Sequence, residues 1–306
     1  MKKPLGDDRE VLTIDFIPGE ILRYRFVSSR DIVIGWDAPQ ATPRPGARAS
    51  DKSCESMEVV MIYKPVDVDL YGLTTIEAVC ESVKVSRSKG PRRDAVQSLA
   101  GRTFTLTVGP TGRIEDYSQL DKLLKEIGEK AFSTDTSKGR IKEPEMIGDF
   151  VASQWFLWDS TSSIEKPSKG VKVGQSWKSK LSVPTPMVMR EARDVTYTLD
   201  EIRPGEKGRL AVITSSYKAA DSVPQGWPIP YWGSFQMKGA FGFYRNYRVL
   251  SLQGDGEEIF NIEAGRTERC NQQYELRLSA SLLLPLPGAN PRITINQKLT
   301  MELLED

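Results

Sequence analysis

Alternation of apolar and polar residues at a period of two restricts this chain more than any other feature. In Ile21-Leu-Arg-Tyr-Arg-Phe26, Leu22, Tyr24 and Phe26 fall on one side and Arg23 and Arg25 on the other. That is the pattern of a strand with one face buried and one face wet. The same reading gives strands over 32–34, 58–64, 72–85 and 103–108. Turns are expected around Pro65-Val-Asp-Val-Asp69 and at Gly109-Pro-Thr-Gly112, and an aperiodic loop over 38–53. The predicted fold is α+β and mainly antiparallel β, with strand-rich lobes forming curved sheets.

The pattern runs through the chain twice. Asp194–Ile213 can be laid on Glu58–Glu77 as strand, short turn, glycine, strand, with Gly208 on Gly72. Arg248–Glu258 can be laid on Phe104–Ile114, which puts Gly256 on Gly112 at a hairpin turn. Two related lobes are therefore expected, residues 11–116 and 166–306, the second carrying an aromatic-rich segment at 226–247. Residues 117–165 between them read as a helical interlude. Ser118 is the expected N-cap of a first helix whose Leu120, Leu123, Leu124, Ile127 and Ala131 share a face. A second helix is expected to start near Pro144, with Ile147, Phe150, Val151 and Trp158 as its apolar stripe.

Composition excludes several chemistries. The 306 residues contain no histidine, so the commonest general base and metal ligand are missing. Cys54, Cys80 and Cys270 have no C-x-x-C spacing, so no transition-metal site and no cofactor are expected; three independent thiols are the preferred reading, with Cys54 and Cys80 paired across a hairpin as the alternative. Lys and Arg number 42 against 41 Asp and Glu, a net charge of +1 that gives no reason to expect nucleic acid. The basic cluster Arg87-Ser-Lys89-Gly-Pro-Arg92-Arg93 reads as a solvated turn. No stretch approaches the length of a transmembrane helix. The opening Met1-Lys-Lys-Pro-Leu is followed by Asp7, Asp8, Arg9 and Glu10 where a secretory leader is apolar. The chain is expected to be either cytoplasmic or a mature form whose leader has been removed.

Pro167-Ser-Lys-Gly-Val-Lys-Val-Gly-Gln-Ser-Trp177, followed by the strand Thr196-Tyr-Thr-Leu199, resembles a segment of uncharacterised bacterial envelope proteins, mostly lipoproteins or secreted proteins. The likeness extends to Leu22–Phe26 and Gly101–Val108, and Gln175 stands where those proteins usually carry Asp. The resemblance implies a periplasmic or envelope compartment and an architecture, and no activity. Within the motif, Gly174 permits a turn and Trp177 opens a strand and anchors it in the core.

Motifs for catalysis are weak. Ser-x-x-Lys occurs at Ser86/Lys89, Ser163/Lys166 and Ser215/Lys218, but the last pair sits in an expected strand, where residues three apart point to opposite faces. The acidic groups Asp67/Asp69, Asp200/Glu201 and Asp255/Glu257/Glu258 are expected in or beside hairpin turns. The segment 226–247 differs, holding eight aromatics in 22 residues. Phe235, Met237, Phe241 and Phe243 read as the buried face of a strand. Trp227, Tyr231 and Trp232, on a Pro-stiffened loop, are the candidate ligand-binding residues, with capping of the sheet end as the equal alternative. The expected function is a non-catalytic envelope protein that binds an apolar small molecule, a lipid or a protein partner on a curved antiparallel sheet. A structural or adhesive module and a histidine-free, carboxylate-dependent hydrolase are the alternatives.

Overall fold

The computed structural model describes residues 9–36, 50–89, 93–133, 140–141, 146–187, 189–223, 236–237, 241, 244–282 and 290–305. Their elements run β1 (Arg9–Glu10), β2 (Leu22–Trp36), β3 (Ser50–Val68), β4 (Thr74–Arg87), β5 (Thr103–Val108), β6 (Ile114–Asp116), α1 (Ser118–Ala131), β7 (Phe132–Ser133), β8 (Arg140–Ile141), α2 (Ile147–Phe156) and α3 (Asp159–Ser162). The second part continues with β9 (Val171–Lys172), β10 (Ser176–Ser182), β11 (Ala192–Gly205), β12 (Gly208–Ala219), β13 (Gln236–Met237), β14 (Tyr244–Asn261), β15 (Arg266–Leu282) and β16 (Pro291–Leu303). None of the described helices is long and apolar enough to cross a membrane.

Eleven strands form one antiparallel sheet in the order β10-β11-β12-β14-β15-β16-β2-β3-β4-β5-β6, curved but not closed. The first five-strand meander and the last six-strand meander meet where β16 pairs with β2 over its whole length, from Pro291↔Trp36 to Leu303↔Tyr24. The fold is thus α+β and mainly antiparallel β, as the alternation requires. Two small sheets, β1-β9 and β13-β8-β7, lie outside the large one.

The alternation fixes which face is buried. Leu22, Tyr24 and Phe26 point inward, at 2%, 1% and 0% exposure, while Arg23 and Arg25 lie outside and pair with Glu81 and Glu302. The inner face wraps α2 and α3, which together reach strands from β10 to β3. Tyr63 of β3 donates to Gln154 of α2 at 2.7 Å, and Trp177 Nε1 of β10 donates to the Ser160 carbonyl of α3 at 2.7 Å. Trp158, between the two helices, is buried with its ring edge-on to Tyr63 and Phe16, centroids 5.7 Å away in each case. Of the apolar stripes expected for the helices, Leu120, Leu123, Leu124 and Ile127 of α1 and Ile147, Phe150 and Val151 of α2 are buried, as is Trp158 just past α2, and Asp121 pairs with Lys125 one turn later at 2.5 Å.

Several local expectations need correction. The β3–β4 turn lies at Leu70–Gly72, past Pro65, because Pro65 and Val68 still pair with β4; Gly72 supplies the positive φ, +80°. β3 already begins at Ser50, inside the expected loop. Ser118 is the first residue of α1, and Asp116 accepts its N–H at 2.9 Å. Gly256 is not at a hairpin turn; it sits mid-strand in β14, opposite Ser215 and Gln272. Asp255, Glu257 and Glu258 are mid-strand with it. Arg87 is not in a solvated turn: it ends β4, points inward, and pairs with Glu55 and Asp94.

Candidate functional site

A row of polar side chains crosses the inner face of the sheet at one level. Successive pairings give Tyr217↔Gly254, Gly254↔Tyr274, Tyr274↔Gln297, Gln297↔Arg30, Arg30↔Glu55 and Glu55↔Arg87. Seven strands contribute one residue each. Helix α2 lays Asp149 over the middle of the row. Arg30 donates to Asp149 Oδ2 and to Glu55 Oε2, both at 2.8 Å, while Asp149 Oδ1 accepts from Ser28 at 2.7 Å and Gln297 at 3.1 Å. Burial pulls the Arg30 guanidinium toward its neutral form, but the charges of Asp149 and Glu55 outweigh it and raise its pKa above the ordinary value. Asp94 takes Arg87 and also accepts the Met146 N–H at 3.0 Å, which fixes the entry into α2.

The end of the row nearest β11 is built differently. Arg193, 3% exposed, places its guanidinium carbon 4.5 Å from the Tyr217 ring centre and 4.6 Å from that of Tyr274. The two rings stand at 81°, so the cation sits in the corner between them. Room for this comes from glycines in β14. A Cβ at Gly254 would press into the Gln273 carbonyl and lie 2.5 Å from Tyr274 Cβ, and one at Gly256 would lie 2.5 Å from the Tyr217 hydroxyl. Arg193 donates from Nη2 to Gln272 Oε1 at 2.6 Å, but its Nε and Nη1 have no partner. No carboxylate of the described residues reaches it within 4 Å. Cation–π contacts return about 0.5–2 kcal/mol each, against several kcal/mol for burying an unpaired ion. Gln272 Nε2, the Tyr274 hydroxyl and Gln297 Oε1 are also buried without partners. Beside them is a cavity of about 10 Å³, walled by Ser28, Asp149, Arg193, Tyr274 and Gln297 on the polar side and by Leu181, Pro184 and Leu299 on the apolar side.

A second polar cluster holds α3 to the sheet. Asp159 accepts from Ser179 and Tyr197 at 2.8 Å each, and Glu258 accepts from Thr267 at 2.7 Å and Ser160 at 2.9 Å. Burial pushes Asp159 up to about 6 and Glu258 to about 7; the hydroxyl donors offset only part of this, and the charge of Asp159 adds to the rise at Glu258. Ser160 with Glu258 has the makeup of a nucleophile and base. Both side chains are buried under α3, at 1% and 3%, out of a substrate's reach. Ser215 and Lys218 point to opposite faces of β12, one buried and one exposed.

Trp227, Tyr231 and Trp232 lie outside the described residues, as do Phe235 and Phe243; Phe241 is described and buried. Cys54, Cys80 and Cys270 are free thiols, the first exposed and the others buried. Trp177 packs as expected, stacked on Tyr197 with centroids 5.9 Å apart. The polar row was nevertheless readable in the sequence. Ser28 and Arg30 keep the parity of Leu22, Tyr24 and Phe26. Arg193 keeps that of Val195, Tyr197 and Leu199, Gln297 that of Ile293, Ile295 and Leu299. Polar residues on the apolar phase of a long strand are the signal.

Fold and site together define an open antiparallel sheet wrapped round a helical pair, with a charged belt sealed inside. The chain belongs to the family described as "Family of unknown function (DUF6263)", whose model matches residues 55–215. No curated protein matches the chain. Among solved structures, one titled "Lipid-protein interactions in lipovitellin" is similar over 95% of this chain at 11% identity and a TM-score of 0.42. This chain spans 26% of that one.

Proposed function

We propose that this is a non-catalytic, ligand-binding protein of the cell envelope, which holds an apolar or amphiphilic small molecule between the inner face of the curved sheet and α2. The observation that carries the reading is the gathering of unpartnered buried polar atoms at one place. A core evolved only for stability pairs such groups or replaces them with apolar ones. Here those of Arg193, Tyr274 and Gln297 line a water-sized cavity of about 10 Å³ whose opposite wall is apolar, polar groups against apolar ones as in small-molecule sites. The envelope compartment rests on the resemblance of the Val171–Trp177 segment. Native mass spectrometry of protein purified without detergent is expected to show a co-purified ligand mass, and a hydrophobic dye is expected to bind saturably and be displaced by it. Absence of both, with the protein folded, would overturn the reading.

A second reading has its own observation. At the β3–β4 tip, Leu70 and Tyr71 are 101% and 84% exposed on a turn held by Asp69, which accepts from the Tyr71 and Leu73 N–H groups at 2.8 Å. A fixed apolar tip fits an adhesive or partner-binding role. Replacing both residues with Ser is expected to leave stability unchanged and to abolish partner capture under that reading alone.

A further inference from the structure

We infer that residues 9–17 form a removable strap, and that the slot it fills over Trp158, just past α2, is where an unbranched alkyl or acyl chain binds; the inference rests on the ligand-binding function proposed above and gives that ligand a place. The cavity beside Arg193 admits one water-sized group, so a longer ligand needs space that part of the chain now fills. The strap is the part built to leave.

Its side chains and its backbone are held in opposite ways. Leu12, Ile14 and Phe16 are buried, at 1%, 6% and 8%, while Val11, Thr13, Asp15 and Ile17 are exposed. That is the alternation of a half-buried strand, yet residues 11–17 join no ladder. β1 pairs with β9 over two residues, and further in the Asp15 N–H donates to the Gly265 carbonyl at 2.9 Å. β2, by contrast, is paired with β16 and with β3 along its length. A segment outside the ladders opens at a lower free energy than the strands beneath it. The outer end of the strap is clasped at the surface, by Glu10 on Arg209 at 2.7 Å and by Arg9 Nη1 donating to the Gly170 carbonyl at 3.0 Å. Its inner end is the turn Ile17-Pro18-Gly19-Glu20, where the Glu20 N–H donates to the Ile17 carbonyl and Gly19 holds φ at +85°.

The slot suits a slim, extended occupant. A Cβ at Gly170 would lie 2.7 Å from the Glu10 carbonyl oxygen, one at Gly112 2.9 Å from Ile14 Cγ1, and one at Gly265 2.6 Å from the Asp15 nitrogen. Three loops far apart in sequence each omit a side chain so that the strap can lie close. The floor is aromatic: Phe16 stands edge-on to Trp158 and Trp158 edge-on to Tyr63, centroids 5.7 Å apart in each pair. From Leu12 to Phe16 an extended chain runs about 13 Å, and the side it buries there is hydrocarbon without charge. An unbranched alkyl or acyl chain reproduces that profile, whereas a bulky polycycle is too wide for it.

The test is reversible locking of the strap in the full chain. Arg9 and Lys172 are paired across β1 and β9. Arg9→Cys with Lys172→Cys, in a Cys54→Ser background that removes the exposed native thiol, closes the strap on oxidation and frees it on reduction. Binding of the neutral dye N-phenyl-1-naphthylamine is read by fluorescence titration in both states, with 1-decanol as competitor. Reduced protein is expected to bind the dye saturably and to release it to 1-decanol. Oxidised protein, with a melting temperature no lower, is expected to bind about tenfold more weakly or not at all, since a ligand binds only the fraction of molecules whose slot is open. Glu10→Gln loosens the clasp and leaves the slot intact, so it is expected to tighten binding about two- to fivefold, the range set by one exposed ion pair. Equal affinity in the two redox states overturns the inference and leaves the ligand-binding function standing. Dye binding in neither state, with the protein folded, overturns both. Amides of residues 12–16 that exchange only with global unfolding would also overturn the inference, because the strap would then be part of the core.

Discussion

Arg30 shows what a single residue costs and secures on the inner face of this sheet. Its guanidinium has no exposure, and two carboxylates from different elements answer it, Glu55 on the neighbouring strand and Asp149 on α2. The strand partner is set by register. The helix partner ties α2 to the sheet, since Asp149 also takes Ser28 and Gln297. Removing one member of a buried ion pair leaves the other charged and dry, at a cost of about 3–5 kcal/mol. Asp149→Ala is therefore expected to lose about that much in a urea titration, and Asp149→Asn less, because the amide oxygen still accepts a hydrogen bond. If the Ala variant unfolds within about 1 kcal/mol of the parent, the usual worth of a surface pair, then Asp149 does not hold the helix.

At the scale of elements, α3 is docked by two carboxylates with no cation in contact among the described residues, and this gives its attachment a pH dependence. Asp159 at about 6 and Glu258 at about 7 hold their protons more tightly in the folded chain than in the unfolded one, where carboxylates titrate near their ordinary values of 3.8 and 4.5. A raised acid contributes its full stability below the unfolded pKa and loses it as pH rises through the folded pKa. Stability is thus expected to fall between about pH 4.5 and pH 7 and then level off. Glu258→Gln is neutral at every pH, so urea titrations at pH 5 and pH 8 should show a smaller drop for the variant than for the parent. Equal drops would mean that Glu258 does not carry the slope. The sequence disclosed this only in part. Period-two alternation located β2, β3, β4, β5, β11 and β12, and the helical stripes located α1 and α2. It failed where polar residues took apolar positions, because a strand is recognised by its apolar phase and Ser28, Arg30 and Glu258 interrupt it. Gly254 and Gly256 compounded the error in β14. Glycine pairs beside acidic residues mark turns in most chains, whereas here they make space under Tyr217 and Tyr274.

The two meanders of the large sheet meet at one seam. β2 is the first long strand of the chain and β16 the last, and their pairing joins two meanders that are otherwise consecutive in sequence. Contacts between residues so far apart form late and dearly, since the loop they close is most of the chain. Once formed, the seam also aligns Gln297 with Arg30, so the polar row is continuous only if both halves are in place. Two related lobes, 11–116 and 166–306, remain a proposal about ancestry; their energetic independence is a separate matter. Because the charged belt and α2 both straddle the seam, the halves are expected to unfold as one unit. Native-state hydrogen exchange is the direct measurement. Amides of β2, β3, β15 and β16 should exchange with a single free energy equal to that of global unfolding, and those of the edge strands β6 and β10 with a lower one. Two distinct plateaus, one for β2–β4 and one for β11–β15, would show instead that each meander folds on its own, and the seam would be a contact between domains.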